Sequence, residues 1–239
     1  MSRIPVLEIF GPTIQGEGSV IGRKTMFVRT AGCDYHCNWC DSAFTWDGSA
    51  KDEIKQMAPE DIWNELFTLG GNRFDHVTIS GGNPALITAI GELVRFLNEK
   101  GIKTALETQG SKWQEWMKDI NDLTLSPKPP SSGMETNFEM LDSIVAALSE
   151  VRNATIKVVV FDDKDFDYAI KIHGRYPAIP FYLQVGNDDI TTVDNDLLTK
   201  KLLQKYEWLI NKVIESSQMN DVRVLPQLHA LVWGNKRGV

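Results

Sequence analysis

Thiols are scarce in this chain. Of 239 residues only three are cysteines, and all three fall within the eight positions from Cys33 to Cys40, in AGCDYHCNWCDS. So small a set cannot build a disulfide framework, and a reducing compartment is expected. Positive charge is also short. The 25 Lys and Arg residues against 32 Asp and Glu leave a formal net charge of -7, which argues against a broad basic face for nucleic acid but allows a local cationic pocket. No apolar run approaches the ~20 residues needed to cross a bilayer. The opening MSRIPVLEIFGPTIQGEG has neither the long apolar stretch nor the small-residue cleavage site of a secretory signal. Repeats, low-complexity tracts and Gly/Ser linkers are missing as well. The expectation is a cytoplasmic chain with no membrane partner and no direct nucleic-acid partner.

What is there is a regular alternation. Short β-branched runs, KTMFVRT (24–30), HVTIS (76–80), KTALET (103–108), LTLS (123–126), TIKVVVF (155–161) and PFYLQV (180–185), read as six strands. Between them lie helical patterns: PEDIWNELFTL with Pro59 in its first turn and a Gly70–Gly71 stop, then Leu86, Ile90, Leu93, Val94 and Leu97 at a period near 3.6. Further helices are expected over about 140–148, 165–173 and 194–215, before an extended VRVLPQL stretch. Such alternation implies an α/β fold with mostly parallel strands, either open or curled into a partial barrel. Parallel sheets carry their chemistry at the carboxyl ends of the strands. Nearly every unusual motif falls there: the cysteines, Ser80–Gly81–Gly82–Asn83–Pro84, Glu107–Thr108, Ser126–Pro127–Lys128 and Gln184–Val185–Gly186–Asn187. One site is the economical reading.

The spacing Cys33-x3-Cys37-x2-Cys40 admits three readings. Free cysteines can be small buried hydrophobes. Zinc could be held with His36 or another histidine as the fourth ligand, although no second ligand cluster is visible. An iron–sulfur cubane normally takes four thiolates, so three would leave one iron open to a substrate or cofactor.

Cys-x3-Cys-x-aromatic-Cys, with Trp39 as the aromatic, resembles the signature of the radical S-adenosylmethionine superfamily. The resemblance implies one [4Fe-4S] cluster per subunit held by Cys33, Cys37 and Cys40, with S-adenosylmethionine on the open iron. The cofactor then yields a 5'-deoxyadenosyl radical, and no further catalytic residue is expected. SGGNP (80–84) stands where the superfamily places Gly-Gly-Glu-Pro, with Asn83 in place of the glutamate.

A narrower resemblance is carried by EIFGPTIQGEGSVIGRKTMFVRTAGCDYHCNWCDS and continues through ETQG (107–110), SPK (126–128), LQVG (183–186) and Gln227-Leu228-His229. These stretches resemble the 7-carboxy-7-deazaguanine synthase family. That implies a carbon–nitrogen lyase reaction, the ring contraction of 6-carboxy-5,6,7,8-tetrahydropterin to 7-carboxy-7-deazaguanine with loss of ammonia, on the way to deazapurines such as the tRNA nucleoside queuosine. It also implies Mg2+, a homodimer, an electron donor such as a flavodoxin or ferredoxin, and a partial or modified (βα)6 barrel.

Carried over position by position, Ile14, Gln15, Gly16, Arg29 and Ser80 would contact substrate, Arg29 offering its carboxylate a bidentate fork. The ordinary alternative for Arg29 is an ion-pair partner. Ser42 stands where a magnesium-ligating threonine is common. Trp39, Gly82, Ser126, Pro127, Lys128, Gln184, Val185, Gly186 and Asn187 would surround S-adenosylmethionine, with Asn83 and Glu107 nearby. His229 is expected to pack or hydrogen-bond, and His76 and His173 to be solvated or capping. A single domain, 1–239, is expected: an N-terminal substrate-binding extension (1–23), a cluster loop (33–40) and a C-terminal tail closing the site (216–239). The competing functions are a glycyl-radical-enzyme activase, which needs no pterin pocket, and a non-catalytic metal-binding module.

Overall fold

The computed structural model describes residues 3–239, so the first two residues of the expected N-terminal extension lie outside it. In chain order the elements are β1 (Ile4–Ile14), β2 (Lys24–Thr30), β3 (Lys55–Met57), α1 (Pro59–Gly70), β4 (His76–Gly81), α2 (Ile90–Glu99), β5 (Lys103–Thr108) and β6 (Asp122–Leu125). There follow α3 (Phe138–Leu148), β7 (Ala154–Val160), α4 (Asp163–Arg175), β8 (Phe181–Val185), α5 (Asn195–Glu215), β9 (Arg223–Leu225) and α6 (Leu228–Trp233).

The nine strands of the described residues form one sheet in the order β3-β1-β2-β4-β5-β6-β7-β8-β9. From β2 to β9 every pairing is parallel, while β1 runs antiparallel to β2 and β3 antiparallel to β1. The edges, β3 and β9, stay apart, so this is an open, partial (βα) barrel. The six expected strands are β2 and β4 to β8. Three were not legible as strands. β1 carries Gly11, Pro12 and Gly16 beside it and reads as a loop, β3 is only three residues long, and β9 precedes a proline.

Helix ends follow local chemistry. Asn137, Asp162 and Asp194 accept from Met140 N, Asp165 N and Leu197 N and so cap α3, α4 and α5. The helix expected from Leu86 begins only at Ile90. Before it, Asn83 Oδ1 accepts from Ala85 N (3.2 Å) and sets a single 3-10 turn over Pro84–Leu86. Between β5 and β6 the only helical piece is a 3-10 turn, Glu115–Asp119.

Successive strand residues face opposite sides of a sheet. Ile156, Val158 and Val160 of β7, Val77 and Ile79 of β4, and Met26 and Val28 of β2 are fully buried against the helices. The residues between them, Lys157 and Val159, Thr78 and Ser80, Phe27 and Arg29, line a cavity on the concave side. Among the described residues no helix is long and apolar enough to cross a membrane.

His76, at the start of β4, is not solvated as expected. It is fully buried, with Nδ1 2.8 Å from Thr25 Oγ1. Burial, helped by the positive charge of Arg23, pushes its pKa down to about 4, so the fold holds a neutral imidazole whose unfolded pKa is about 6.5. That contribution is intact above the unfolded value and is lost as pH falls from there toward 4. Urea midpoints of the cluster-free protein should therefore drop across that window, and His76→Gln should flatten the drop; parallel curves for the two proteins would exclude His76 as the source.

Candidate active site

The cysteine loop leaves β2 and is held from three sides. Gly32 N donates to Thr45 O (2.8 Å), and Asn83 N donates to Gly32 O (2.8 Å). Its far side rests on the segment after β6, where Asn38 N reaches Ser132 O (3.0 Å) and Trp39 Nε1 reaches Ser131 Oγ (3.0 Å). Gly82 permits this closeness, since a Cβ there would lie 2.2 Å from Gly32 O.

All three cysteines are free, half-buried and turned into the cavity. N–H groups aim at their sulfurs: Tyr35 N (3.4 Å) and Gln109 Nε2 (3.7 Å) at Cys33, Trp46 Nε1 (3.4 Å) at Cys40. Such donors suit thiolates bound to metal. Burial pushes the free Cys33 thiol up and Cys37 to about 11, so metal would enter by displacing protons.

The three cysteine sulfurs do not all lie within 4.8 Å of one another. Tetrahedral zinc, with ~2.3 Å bonds, brings its sulfurs within about 4 Å of one another. Among the described residues, the only three potential ligand atoms mutually within 4.8 Å belong to Glu17, Asp41 and His229, not to the cysteines. His36 is exposed and stacks edge-on to Trp46 at 4.8 Å. The donor set fits a larger cluster in which each thiolate binds its own iron.

Across the cavity, of about 300 Å3, stands a charged floor. Lys157 is 1% exposed, and its Nζ lies 2.7 Å from Glu17 Oε2 and 2.8 Å from Glu107 Oε1. Burial alone would lower the lysine's pKa, but Glu107 and Glu17 hold it above the usual range. Burial would likewise raise Glu17, yet Lys157, His229 and Gln227 pull it well below the carboxylate range. Lys157 and Glu17 are therefore both ionised. Gln227 Nε2 spans Glu17 Oε1 (2.8 Å) and Asp41 Oδ2 (3.3 Å), while its own buried Oε1 has no partner. His229 Nδ1 stands 3.8 Å from Glu17 Oε1.

Most expected site residues line this one cavity: Ile14, Gln15, Gly16, Arg29, Cys33, Cys37, Trp39, Cys40, Ser42, Ser80, Gly82, Glu107, Lys128, Gln184, Gly186 and Asn187. Arg29 donates Nε–H to Glu8 Oε1 (2.5 Å), so the ion pair and the cavity position coexist. Ser80 Oγ is buried without a partner and is free for a ligand. Ser42 Oγ makes no cap and lies 3.7 Å from Cys40 Sγ.

Four residues stand back from the lining. Val185, 1% exposed, faces the helices because Gln184 faces the cavity. Ser126 and Pro127 are buried, and Ser126 Oγ accepts from Lys128 Nζ at 3.2 Å. Asn83 is fully engaged, donating to Asp34 and Ser111 and accepting from Thr108 and Ala85. Glu17, Asp41 and Lys157 were not singled out in the sequence, and Gln227 stood there only as part of the family resemblance, with no site role. The one available signal was a lysine inside an apolar strand run, IKVVV, where burial requires a partner.

Residues 27–161 match the family model of the radical SAM superfamily. The 7-carboxy-7-deazaguanine synthase of Bacillus cereus is 67% identical over 100% of both chains. That of Bacillus subtilis strain 168 is 61% identical over 99% of this chain and 98% of its own. In fold, the crystal structure of QueE from Escherichia coli superposes with a TM-score of 0.67 over 95% of each chain at 22% identity. Superfamily membership implies a [4Fe-4S] cluster and S-adenosylmethionine, which the three thiols and the cavity beside them fit. With identity this high along its entire length, the chain belongs to the 7-carboxy-7-deazaguanine synthase family of the radical SAM superfamily.

Proposed function

We propose that this protein converts 6-carboxy-5,6,7,8-tetrahydropterin to 7-carboxy-7-deazaguanine with loss of ammonia, in the route to deazapurine nucleosides such as queuosine. The observation that carries the reading is one cavity lined by three thiols, by Arg29 and by the Lys157–Glu17–Glu107 ion triad. When bound at Cys33, Cys37 and Cys40, the cluster and S-adenosylmethionine would supply the radical chemistry for reversible hydrogen abstraction from the pterin.

The chain's own groups bind and orient. Arg29 holds the substrate carboxylate with its two Nη groups, since Nε is given to Glu8. Glu17, held ionised by Lys157, and Glu107, which bonds the same ammonium, accept from the amino and ring N–H groups of the pterin. The backbone of Ile14, Gln15 and Gly16 and the free Ser80 hydroxyl complete the substrate contacts. Ser42 Oγ is offered to Mg2+, with Asp41 next to it in the Glu17–Asp41–His229 group. On the cofactor side stand Trp39, which packs on Phe161 at 4.9 Å, together with Gly82, Lys128, Gln184, Gly186 and Asn187. Ser126, Pro127 and Val185 support that wall from behind, and Asn83 fixes it through Asp34. The N-terminal extension (1–23) adds the substrate contacts of Ile14, Gln15, Gly16 and Glu17, and the stretch 216–239 closes the site. A homodimer and a flavodoxin or ferredoxin as reductant complete the assignment.

Anaerobically reconstituted protein should turn over 6-carboxytetrahydropterin and be stimulated by magnesium. Cleavage of S-adenosylmethionine with the pterin left intact would end the synthase reading while keeping the superfamily. Cys33→Ala, Cys37→Ala and Cys40→Ala should each lose the visible absorbance of the cluster and all turnover; activity in any one contradicts the ligand set. Arg29→Ala should raise KM for the pterin by about 30-fold or more while the cluster still assembles. Ser42→Ala should lessen the magnesium stimulation, and an unchanged response removes it from the metal.

A further inference from the structure

After Gln227 the chain leaves the sheet and passes over the cavity. Leu228 N donates to Gly16 O (3.0 Å), α6 follows, and residues 234–239 line the cavity beside Phe10, Arg29 and Phe44. Two side chains fasten this stretch on opposite sides of the opening. Asn235 Nδ2 donates to Asp189 O and Thr192 O (2.9 Å each), and its Oδ1 accepts from Asn187 (2.9 Å), all beyond β8. Arg237 reaches the other side of the sheet. Its Nε donates to Glu8 Oε2 of β1 (2.8 Å), its Nη2 to Glu53 Oε2 (2.9 Å), and its guanidinium lies 4.1 Å from the Phe44 ring centre.

Glu8 thus holds two arginines, one on each oxygen: Arg29 on Oε1 and Arg237 on Oε2. The Arg29–Glu8 pair alone is neutral. A carboxylate arriving at Arg29 would then meet the Glu8 charge just behind it, in a setting where both side chains are less than 20% exposed and water screens weakly. With Arg237 bound, the three groups carry one net positive charge beside the cavity. Glu53 does not cancel this, because it is more than half exposed and touches only Arg237 among the three. The aromatic packing is shared in the same way: Arg29 lies 5.4 Å from the Phe10 centroid and 5.5 Å from that of Phe44, whose ring also carries Arg237.

We infer that Arg237 is a positioning residue for substrate: by occupying the second oxygen of Glu8, it leaves Arg29 both oriented and able to attract the substrate carboxylate. This rests on the function proposed above, and it makes closure of the tail and binding of the anionic substrate one coupled event.

The test uses cluster-reconstituted holoenzyme and 6-carboxytetrahydropterin. Arg237→Ala should raise KM by about tenfold with kcat within about twofold, and Arg237→Lys, which keeps the charge, should recover most of the loss. In a Glu8→Gln background, Arg237→Ala should change KM by less than about twofold, because no charge is left to neutralise. An unchanged KM in Arg237→Ala, or the same tenfold rise in the Glu8→Gln background, overturns the inference. A second arm needs no substrate. Trypsin cleavage after Arg237, followed by mass spectrometry, should be slow in the folded wild type and faster in Glu8→Ala; equal rates would show that Glu8 does not hold the tail. If wild-type holoenzyme left the pterin unconverted, the proposed function would fall, and with it the substrate arm, while the cleavage rates would still decide the Glu8–Arg237 contact.

Discussion

The two-residue period of the parallel strands is the constraint on which the rest depends. Each strand must give its helix-facing side to Ile, Val and Leu, because that face is sealed under α1 to α5. The chemistry is left to the alternate residues. Arg29, Ser80, Glu107, Lys157 and Gln184 come from five different strands yet line one concave surface. A one-residue slip in any of these strands would exchange a core side chain for a site side chain.

Concave placement creates an electrostatic problem that the floor resolves locally. Lys157 sits in the middle of β7, where a lone ammonium would be strongly disfavoured. Glu107 from β5 and Glu17 from the segment after β1 reach it from two directions and keep it charged. The same contacts tie the N-terminal segment to the middle of the sheet, so the ion triad both shapes the site and anchors the extension. Gln227 and His229 then extend the network to the far end of the chain. Gly16 is needed at that junction, since a Cβ there would lie 2.6 Å from His229 Nδ1.

The open sheet leaves a gap between β3 and β9, and the polypeptide itself spans it. Antiparallel β1 and the stretch from Gln227 onward meet above the cavity, joined by Leu228–Gly16 and Arg237–Glu8. Contacts between residues more than 200 positions apart have no local sequence signal. That is why the last stretch reads only as an extended tail.

The sequence by itself determined a good deal. Strand and helix alternation, the carboxyl-end location of the motifs and the three-thiol loop all follow from patterns a few residues long: period 2, period 3.6, turn residues, cysteine spacing. These are local, and local physics is legible in a chain read residue by residue. The tertiary structure decided which polar residues share a cavity. Only there does Glu8 acquire two arginines, Lys157 its two carboxylates, Asn83 a full set of partners that keeps it out of the lining, and His76 a dry interior instead of a wet edge. Charge pairing and burial depend on distance in space rather than along the chain, so they were fixed only once the sheet had brought those residues together.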